Sequence, residues 1–232
     1  MIPLKDSNPT ERFPLITVLL IVINSCVFLF ELALGEHGVQ AFIAAFALVP
    51  ATLLRGHGMV AGALPPSVTV FTSMFLHGGL FHVAGNMLYL WIFGNNVEDA
   101  MGRMRFIVFY LVCGVAAALS HAAVNPSSTV PMLGASGAIS GVLGAYVLLY
   151  PRARVLTLFI LGFFVKLIEV PAVAVLGFWF IFQFLYVLIA PSSGGGVAWM
   201  AHVGGFVAGM ALIGIFKRSE VPWGGRRRSE PL

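Results

Sequence analysis

The sequence predicts an all-α polytopic membrane protein, and three properties of its composition lead to this fold class. Only 9% of the 232 residues are Asp, Glu, Lys or Arg, whereas a soluble domain has roughly 25%. Apolar residues make up 59% of the chain, and the mean hydropathy is +0.96. So few charges cannot cover a water-exposed surface, and so apolar a chain cannot remain disordered. A soluble globular enzyme and an intrinsically disordered protein are therefore both excluded.

Six apolar segments are candidates for membrane spans, which need about 20 residues each. They are Pro14–Leu34, Gly79–Phe93, Phe106–Val124, Ser136–Tyr150, Pro171–Ile189 and Trp199–Phe216. A further apolar segment, Val155–Val170, is interrupted by Lys166 and Glu169. Charges inside a bilayer are costly, so we interpret this segment as an interfacial or re-entrant stretch rather than a seventh span.

The distribution of basic residues predicts how these spans are oriented. With six spans, both termini and the loops after the second and fourth spans lie on one side of the membrane. All but one of the 13 Lys and Arg residues fall on that side, and the exception is Arg55. Because cytoplasmic segments are enriched in Lys and Arg, both termini are predicted to be cytoplasmic. The basic tail is then a signal for topology and anionic lipid, and no nucleic-acid partner is expected.

The same analysis divides the chain into three parts. Residues 1–13 are predicted to be a cytoplasmic N-terminus, 14–216 a six-span membrane-embedded domain, and 217–232 a basic cytoplasmic tail. The loop after the first span, about residues 35–78, is the longest. A connection of this length is rarely structureless, so we expect short helices lying in or on the outer leaflet.

Four polar residues of the predicted spans fall at one depth. They are His82, Asn86, Ser136 and His202, and each lies about 18 to 24 Å from the cytoplasmic edge at about 1.5 Å per residue. Polar groups are costly inside a bilayer, so each is a candidate functional residue. Ser136 is expected at a helix N-terminus that faces a wet cavity, because the segment it begins is too short to cross alone. Free backbone N–H groups at such a place suit a nucleophile.

Glycine motifs suggest which of these spans are neighbours. The fourth span contains Gly137xxxGly141 and the sixth contains Gly205xxxGly209, and both are close-packing motifs. If these two faces pack together, the serine and the histidine of these spans come within hydrogen-bond distance. The histidine can then act as a general base for the serine.

Other polar residues have a structural interpretation. Glu31 and Gln183 are expected to satisfy hydrogen bonds between helices. No Asp lies at the depth of His202, so a Ser–His dyad is predicted rather than a full triad. His77 and His82 are five residues apart and face apart on a helix, and no HExxH motif occurs, so no metal site is predicted.

At these residues the sequence resembles the rhomboid intramembrane serine proteases. The matching motifs are His77-Gly-Gly-Leu-Phe-His82-Val-Ala-Gly-Asn86, Gly134-Ala-Ser136-Gly137 and Ala201-His202-Val-Gly-Gly205. The resemblance covers about residues 71–216 and implies a bacterial-type six-helix bundle. It implies that Ser136 is the nucleophile and His202 the general base. The oxyanion hole would be formed by His82, Asn86 and the Ser136 backbone N–H, and the supporting residues would be His77, Gly134, Gly137 and Gly205.

The resemblance also implies the kind of substrate and the membrane in which it is cleaved, and the sequence departs from some members of the family at one position. Substrates would be single-span transmembrane proteins cleaved in the bacterial cell membrane, without a cofactor or metal. The fifth span, with Phe178, Trp179 and Phe182, resembles the gate for substrate entry. Some members place an aromatic residue against the histidine, four residues after the serine. That position is Ser140 here, so another group must orient His202.

Three functions are compared on this basis. The first is an intramembrane serine endopeptidase that forms an acyl-enzyme on Ser136. The alternative is a catalytically inactive rhomboid-like protein that binds transmembrane helices, although the serine, the histidine and both oxyanion candidates are intact. A small transporter or channel would predict ionisable residues in several spans and often a repeat, and the sequence has neither.

Overall fold

The fold was analysed in a computed structural model of the chain. It describes residues 1–56, 62–162, 164–189 and 198–224. The second half of the predicted basic tail, residues 225–232, therefore lies outside the described residues, as do residues 57–61 of the first long loop.

Helices make up most of the described chain. They are α1 (Leu15–Ala33), α2 (Gly35–Phe46), α3 (Pro50–Arg55), α4 (Pro66–Thr72), α5 (Leu80–Tyr89), α6 (Asn95–Met101), α7 (Arg103–Val124), α8 (Ser136–Leu149), α9 (Ala172–Ile189) and α10 (Trp199–Phe216). A 3-10 helix, Ser73–Phe75, directly follows α4. A π-helical segment, Leu90–Gly94, joins α5 to α6 in one continuous helical stretch.

Among the described residues, α1, α7, α9 and α10 are each long and apolar enough to cross a bilayer. Helix α4 with its 3-10 extension and the stretch from α5 to α6 form a pair bent by 83°, which adds a fifth crossing if it is one span. Helix α8 is apolar too, but its 14 residues extend only about 21 Å in a hydrocarbon core of about 30 Å. These apolar helices identify an integral membrane protein. Each of the six predicted spans coincides with a helix, but six crossings stay a prediction.

The prediction of an all-α chain is wrong, because the described chain also contains an antiparallel sheet. Its strands β1 (Ile2–Asp6), β2 (Arg154–Leu161) and β3 (Phe164–Pro171) lie in the order β1-β2-β3. The two later strands are rich in β-branched and aromatic residues, which favour extended backbone. Gly162 between them has a φ of +57°, which favours glycine in a turn. The stretch Val155–Val170 is thus a β-hairpin and not a seventh helix.

The first long loop contains α2, α3 and α4. Helices α3 and α4 begin at Pro50 and Pro66, whose fixed φ suits the first position of a helix. Leu48 and Met132 exchange two backbone hydrogen bonds, at 3.1 and 2.7 Å, which tie this loop to the segment that precedes α8. The loop therefore lies against the start of α8, and its association with the outer leaflet stays a prediction.

Helix α8 is the centre of the bundle, and 12 of its 14 residues are buried. It runs parallel to α10, and small residues let the two backbones touch. A Cβ atom on Gly205 would collide with the carbonyl oxygen of Gly137, and one on Gly209 would collide with the carbonyl oxygen of Gly141. The two GxxxG motifs therefore face each other in direct contact, as such motifs do in membrane helix pairs.

A buried carboxylate organises the opposite end of the bundle. Helix α1 begins after Pro14, which provides no side-chain cap. The carboxylate of Glu98, in the middle of α6, accepts the backbone N–H groups of Ile16 at 3.0 Å and Thr17 at 2.8 Å, and the Thr17 hydroxyl at 2.8 Å. Backbone N–H groups at a helix start need such acceptors, and the positive end of the helix favours an anion. Glu98 thus joins α6 to α1.

The sheet is fastened to the same end of the bundle by its first strand. The hydroxyl of Tyr146, near the end of α8, donates a hydrogen bond to the Asp6 carboxylate at 2.5 Å. Burial raises the pKa of Asp6 above its ordinary value of 3.8, although the hydrogen bond from Tyr146 opposes that shift.

The contact between α8 and α10 predicts that Gly209→Ala destabilises the protein. The added methyl group has no space against the α8 backbone, so the free energy of unfolding should fall by about 1 to 3 kcal/mol. Thermal unfolding in detergent micelles measures the change. The matched control is Gly177→Ala in α9, where a Cβ atom would meet nothing within 4 Å. Equal melting temperatures for the two variants would contradict the close packing.

The burial of Asp6 predicts a pH-dependent contribution to stability. Because the folded pKa is raised, folding favours the protonated carboxyl, and this contribution is complete below the ordinary pKa. It is lost as the pH rises through the folded pKa. The variant Asp6→Asn keeps an acceptor for Tyr146 but does not titrate. The unfolding free energy of the wild type minus that of Asp6→Asn should therefore fall from acidic to neutral pH, and a flat difference would refute the prediction.

Candidate active site

Ser136 and His202 form a hydrogen-bonded pair at the same end of two parallel helices. Ser136 is the first residue of α8, and its Oγ lies 2.7 Å from Nε2 of His202, which is close to the start of α10. The side chain of His202 is buried. The direct backbone contact between the two helices explains this short distance, because it fixes both their separation and their relative height. The structure thus brings together the two residues that the sequence predicted as a dyad.

The chain turns sharply just before Ser136. Gly134 has a φ of +120°, and its N–H donates to the carbonyl oxygen of Ser73 at 2.8 Å. The first intrahelical hydrogen bond of α8 runs from the N–H of Ile139 to the carbonyl of Ala135. The earlier N–H groups of this turn, including that of Ser136, have no such partner and lie at the positive end of the helix. The serine therefore sits where a developing negative charge is favoured.

The other nitrogen of the histidine ring has a partner on a third helix. Nδ1 of His202 lies 2.7 Å from Oε1 of Gln183 on α9, and Gln183 is buried as well. Gln183 was expected to make a hydrogen bond between helices, but the sequence did not indicate that His202 is its partner. The spacing that could have indicated it is that of Trp179, Gln183 and Tyr186, which share one face of α9.

Aromatic rings surround the remaining sides of His202. The ring centroid of Trp179 lies 5.8 Å away, and that of Trp199 lies 6.2 Å away and nearly perpendicular to the imidazole. Tyr186 stacks on Trp199 at 4.5 Å. Position 140, four residues after Ser136, has no ring to place against His202, so the aromatic contacts of His202 come from α9 and α10. The hydroxyl of Ser140 instead donates to the carbonyl oxygen of Ser136 at 2.6 Å.

The two predicted oxyanion residues face the turn before Ser136. A Cβ atom on Gly134 would lie only 2.7 Å from Nε2 of His82 and 3.7 Å from Nδ2 of Asn86. Nδ1 of His82 accepts the N–H of Gly78 at 3.4 Å, so a neutral His82 carries its proton on Nε2, the nitrogen that faces the turn. The ring therefore offers a donor on the site side, and a larger residue at position 134 would displace it.

His77 connects Asn86 to the first helix. It is buried, and its Nε2 lies 3.0 Å from Nδ2 of Asn86. The backbone N–H of His77 lies 3.3 Å from both carboxylate oxygens of Glu31 on α1. An amide nitrogen has two N–H groups, so Asn86 can donate one to His77 and keep the other for a ligand. Glu31 thus accepts a hydrogen bond from the loop before α5 rather than from another helix, and the sequence did not identify this partner.

The site differs from a metal centre in its donor set. Within the described part of the chain, no three His, Cys, Asp or Glu side chains converge as a metal site would require. The groups around Ser136 are instead a neutral hydroxyl, two imidazoles and two amides. Such groups can transfer a proton, orient a base and donate hydrogen bonds to an anion.

The sequence of the chain is similar to a protein family and to several individual proteins. The family model for the Rhomboid domain matches residues 66–219. Rhomboid protein 1, mitochondrial, of Saccharomyces cerevisiae is 35% identical over 98 residues, which cover 38% of this chain and 27% of the yeast protein. Rhomboid protease GluP of Bacillus subtilis is 41% identical over 76 residues, or 33% of this chain and 14% of that protein. Presenilin-associated rhomboid-like protein, mitochondrial, of Mus musculus is 32% identical over 137 residues, which cover 54% of this chain and 36% of the mouse protein.

These matches cover only part of each relative, since the chain spans well under half of their length. The match to the family model is broader. It includes more than half of this chain, all of α4 to α10, and both members of the Ser136–His202 pair. The chain therefore belongs to the rhomboid family.

Proposed function

We propose that the chain is an intramembrane serine endopeptidase that uses Ser136 as the nucleophile and His202 as the general base. The observation that carries this proposal is the 2.7 Å contact between Oγ of Ser136 and Nε2 of His202 within an apolar helix bundle. Nε2 would take the hydroxyl proton as Oγ attacks the scissile carbonyl. His202 would then pass the proton to the leaving amine, which leaves an acyl-enzyme on Ser136. A water activated by the same nitrogen would hydrolyse that ester.

The oxyanion of each tetrahedral intermediate would be bound by three donors. They are the backbone N–H of Ser136, Nε2 of His82 and the second amide N–H of Asn86. The positions of these donors beside Gly134 support the proposal. Donors fixed before the reaction begins stabilise the developing charge without rearranging, and this is usually the largest single contribution to catalysis. His77 would support the hole by fixing the Asn86 amide.

The substrates would be single-span transmembrane proteins that reach the site from the lipid. Helix α9 is the proposed gate, because much of its outward surface is exposed and apolar. Phe178 and Phe182 pack on each other at 4.5 Å on that helix and are both partly exposed. A substrate helix that displaced these side chains would approach Ser136 laterally. The proposed reaction requires neither a cofactor nor a metal.

The proposed location is the bacterial cell membrane, with six crossings and both termini in the cytoplasm. Residues 14–216 would form the protease domain, flanked by 1–13 and 217–232. The uneven distribution of Lys and Arg supports this orientation. The turn before the short α8 would then lie at membrane depth, where irregular backbone is tolerated only if it lines a cavity or is buried in protein.

An activated serine is expected to react with a fluorophosphonate probe. The wild type in detergent should be labelled, and Ser136→Ala and His202→Ala should each abolish labelling, because one removes the nucleophile and the other its base. The matched controls are Ser120→Ala in α7 and His37→Ala on the exposed part of α2. Gel fluorescence together with size-exclusion profiles of each variant measures the result.

Two outcomes of that experiment would count against the proposal. Label on Ser136→Ala would mean that another residue is the nucleophile. A folded wild type that takes no label would favour the alternative function, an inactive rhomboid-like protein that binds transmembrane helices. Binding of a transmembrane peptide without cleavage would then be the activity to measure.

The proposed oxyanion hole predicts a selective loss of turnover. His82→Ala and Asn86→Ala should each lower kcat on a fluorogenic transmembrane peptide by about 100- to 1,000-fold, because each removes a donor that acts in the transition state. KM should change little, since these donors do not hold the ground state. A rise in KM at unchanged kcat would instead assign the two residues to substrate binding.

A further inference from the structure

Gln183 contacts His202, the proposed base, from α9, whereas Ser136 and His202 themselves lie on α8 and α10. Its Oε1 lies 2.7 Å from Nδ1 of His202, and both side chains are buried, each 8% exposed. A hydrogen bond of this length between buried groups is well formed and is costly to leave unmade. The contact therefore constrains both the position and the protonation of the imidazole ring.

The contact between the imidazole of His202 and the amide oxygen of Gln183 favours one of the two neutral forms of the ring. A neutral imidazole carries its proton on either Nδ1 or Nε2. Only the form protonated on Nδ1 leaves Nε2 free to accept the hydroxyl proton of Ser136. When Oε1 of Gln183 accepts from Nδ1–H, it holds the ring of His202 in that form. Gln183 does this without a charge, which suits a site inside a membrane.

The surrounding contacts of α9 point in the same direction. Trp179, one turn before Gln183, lies against His202 with ring centroids 5.8 Å apart. Tyr186, one turn after it, stacks on Trp199, which contacts His202 edge-on. Residues at these spacings lie on one face of a helix. One face of α9 therefore contacts the histidine directly through Trp179 and Gln183, and Tyr186 on the same face packs on Trp199 beside it.

We propose that Gln183 is the positioning residue of the dyad: it fixes the tautomer and the orientation of His202 from α9. This proposal rests on the proposed function, since it assigns His202 the role of general base. It also identifies the group that replaces the aromatic residue missing at Ser140. Gln183 does not touch the reacting atoms, so it acts only through His202.

The tautomer of His202 tests this proposal directly. In protein labelled with nitrogen-15 histidine, protonated and unprotonated ring nitrogens give separate NMR signals, and the spectrum of His202→Ala assigns those of His202. The wild type should show the form protonated on Nδ1, and Gln183→Met should populate the other form. The control is Gln40→Met on the exposed part of α2, which replaces the other glutamine of the chain. A wild type protonated on Nε2, or an unchanged spectrum in Gln183→Met, would overturn the proposal.

The kcat values of two Gln183 variants provide a second test, which separates a hydrogen-bonding role of Gln183 from a role in packing alone. Gln183→Met should lower kcat by about 10- to 100-fold, the cost of one buried hydrogen bond, with KM little changed. Gln183→Glu keeps an acceptor at the same place and should recover most of kcat. Equal losses in the Met and Glu variants would show that Gln183 only packs. A wild type that shows the expected tautomer but no hydrolysis would refute the proposed function and leave the positioning role of Gln183 supported.

Discussion

The direct contact between the backbones of α8 and α10 is the constraint on which the rest of the structure depends. Membrane helices gain little by burying apolar side chains against one another, because lipid is equally apolar, so close packing and hydrogen bonds hold them together. Here Gly205 and Gly209 leave no space between the two helices. The hydroxyl and the imidazole at their shared end are then within 2.7 Å. An intervening methyl group would separate them beyond hydrogen-bond range.

The buried carboxylates of this bundle make no direct contact with Ser136 or His202 among the described hydrogen bonds, and Glu31, which lies at the same end as these two residues, reaches only the backbone of His77. Glu98 and Asp6 organise the end opposite to Ser136, where they cap α1 and fasten the sheet to α8. The Ser136–His202 site is built from hydroxyl, imidazole and amide groups instead. Buried charges need costly compensation, whereas neutral groups need only a partner of the right geometry. In the described part of the chain, the hydrogen-bond partners of His202 are thus the neutral side chains of Ser136 and Gln183.

The parts of the structure that follow from local sequence were predictable. Apolar runs located the helices within a few residues, and the two glycine motifs indicated which helices meet. The parts that depend on distant neighbours were not. Strand β2 pairs with a strand at the other end of the chain, and a strongly apolar segment cannot reveal that pairing by its own pattern. Likewise, Gln183 is visibly polar in an apolar span, but its partner depends on how α9 is rotated against α10.

The pairing of β1 with β2 has a consequence for the order of assembly. Ser7, which directly follows β1, and Arg154, the first residue of β2, are hydrogen-bonded although they are 147 positions apart in the sequence. A contact of such high sequence separation forms slowly and late. Strand β1 precedes β2 in the chain and therefore has no partner in the sheet until helices α1 to α8 have been synthesised. Strand β1 therefore joins the sheet only after α8 has been made, and a change that hinders β1 would act on this late step while leaving the insertion of α1 to α7 untouched.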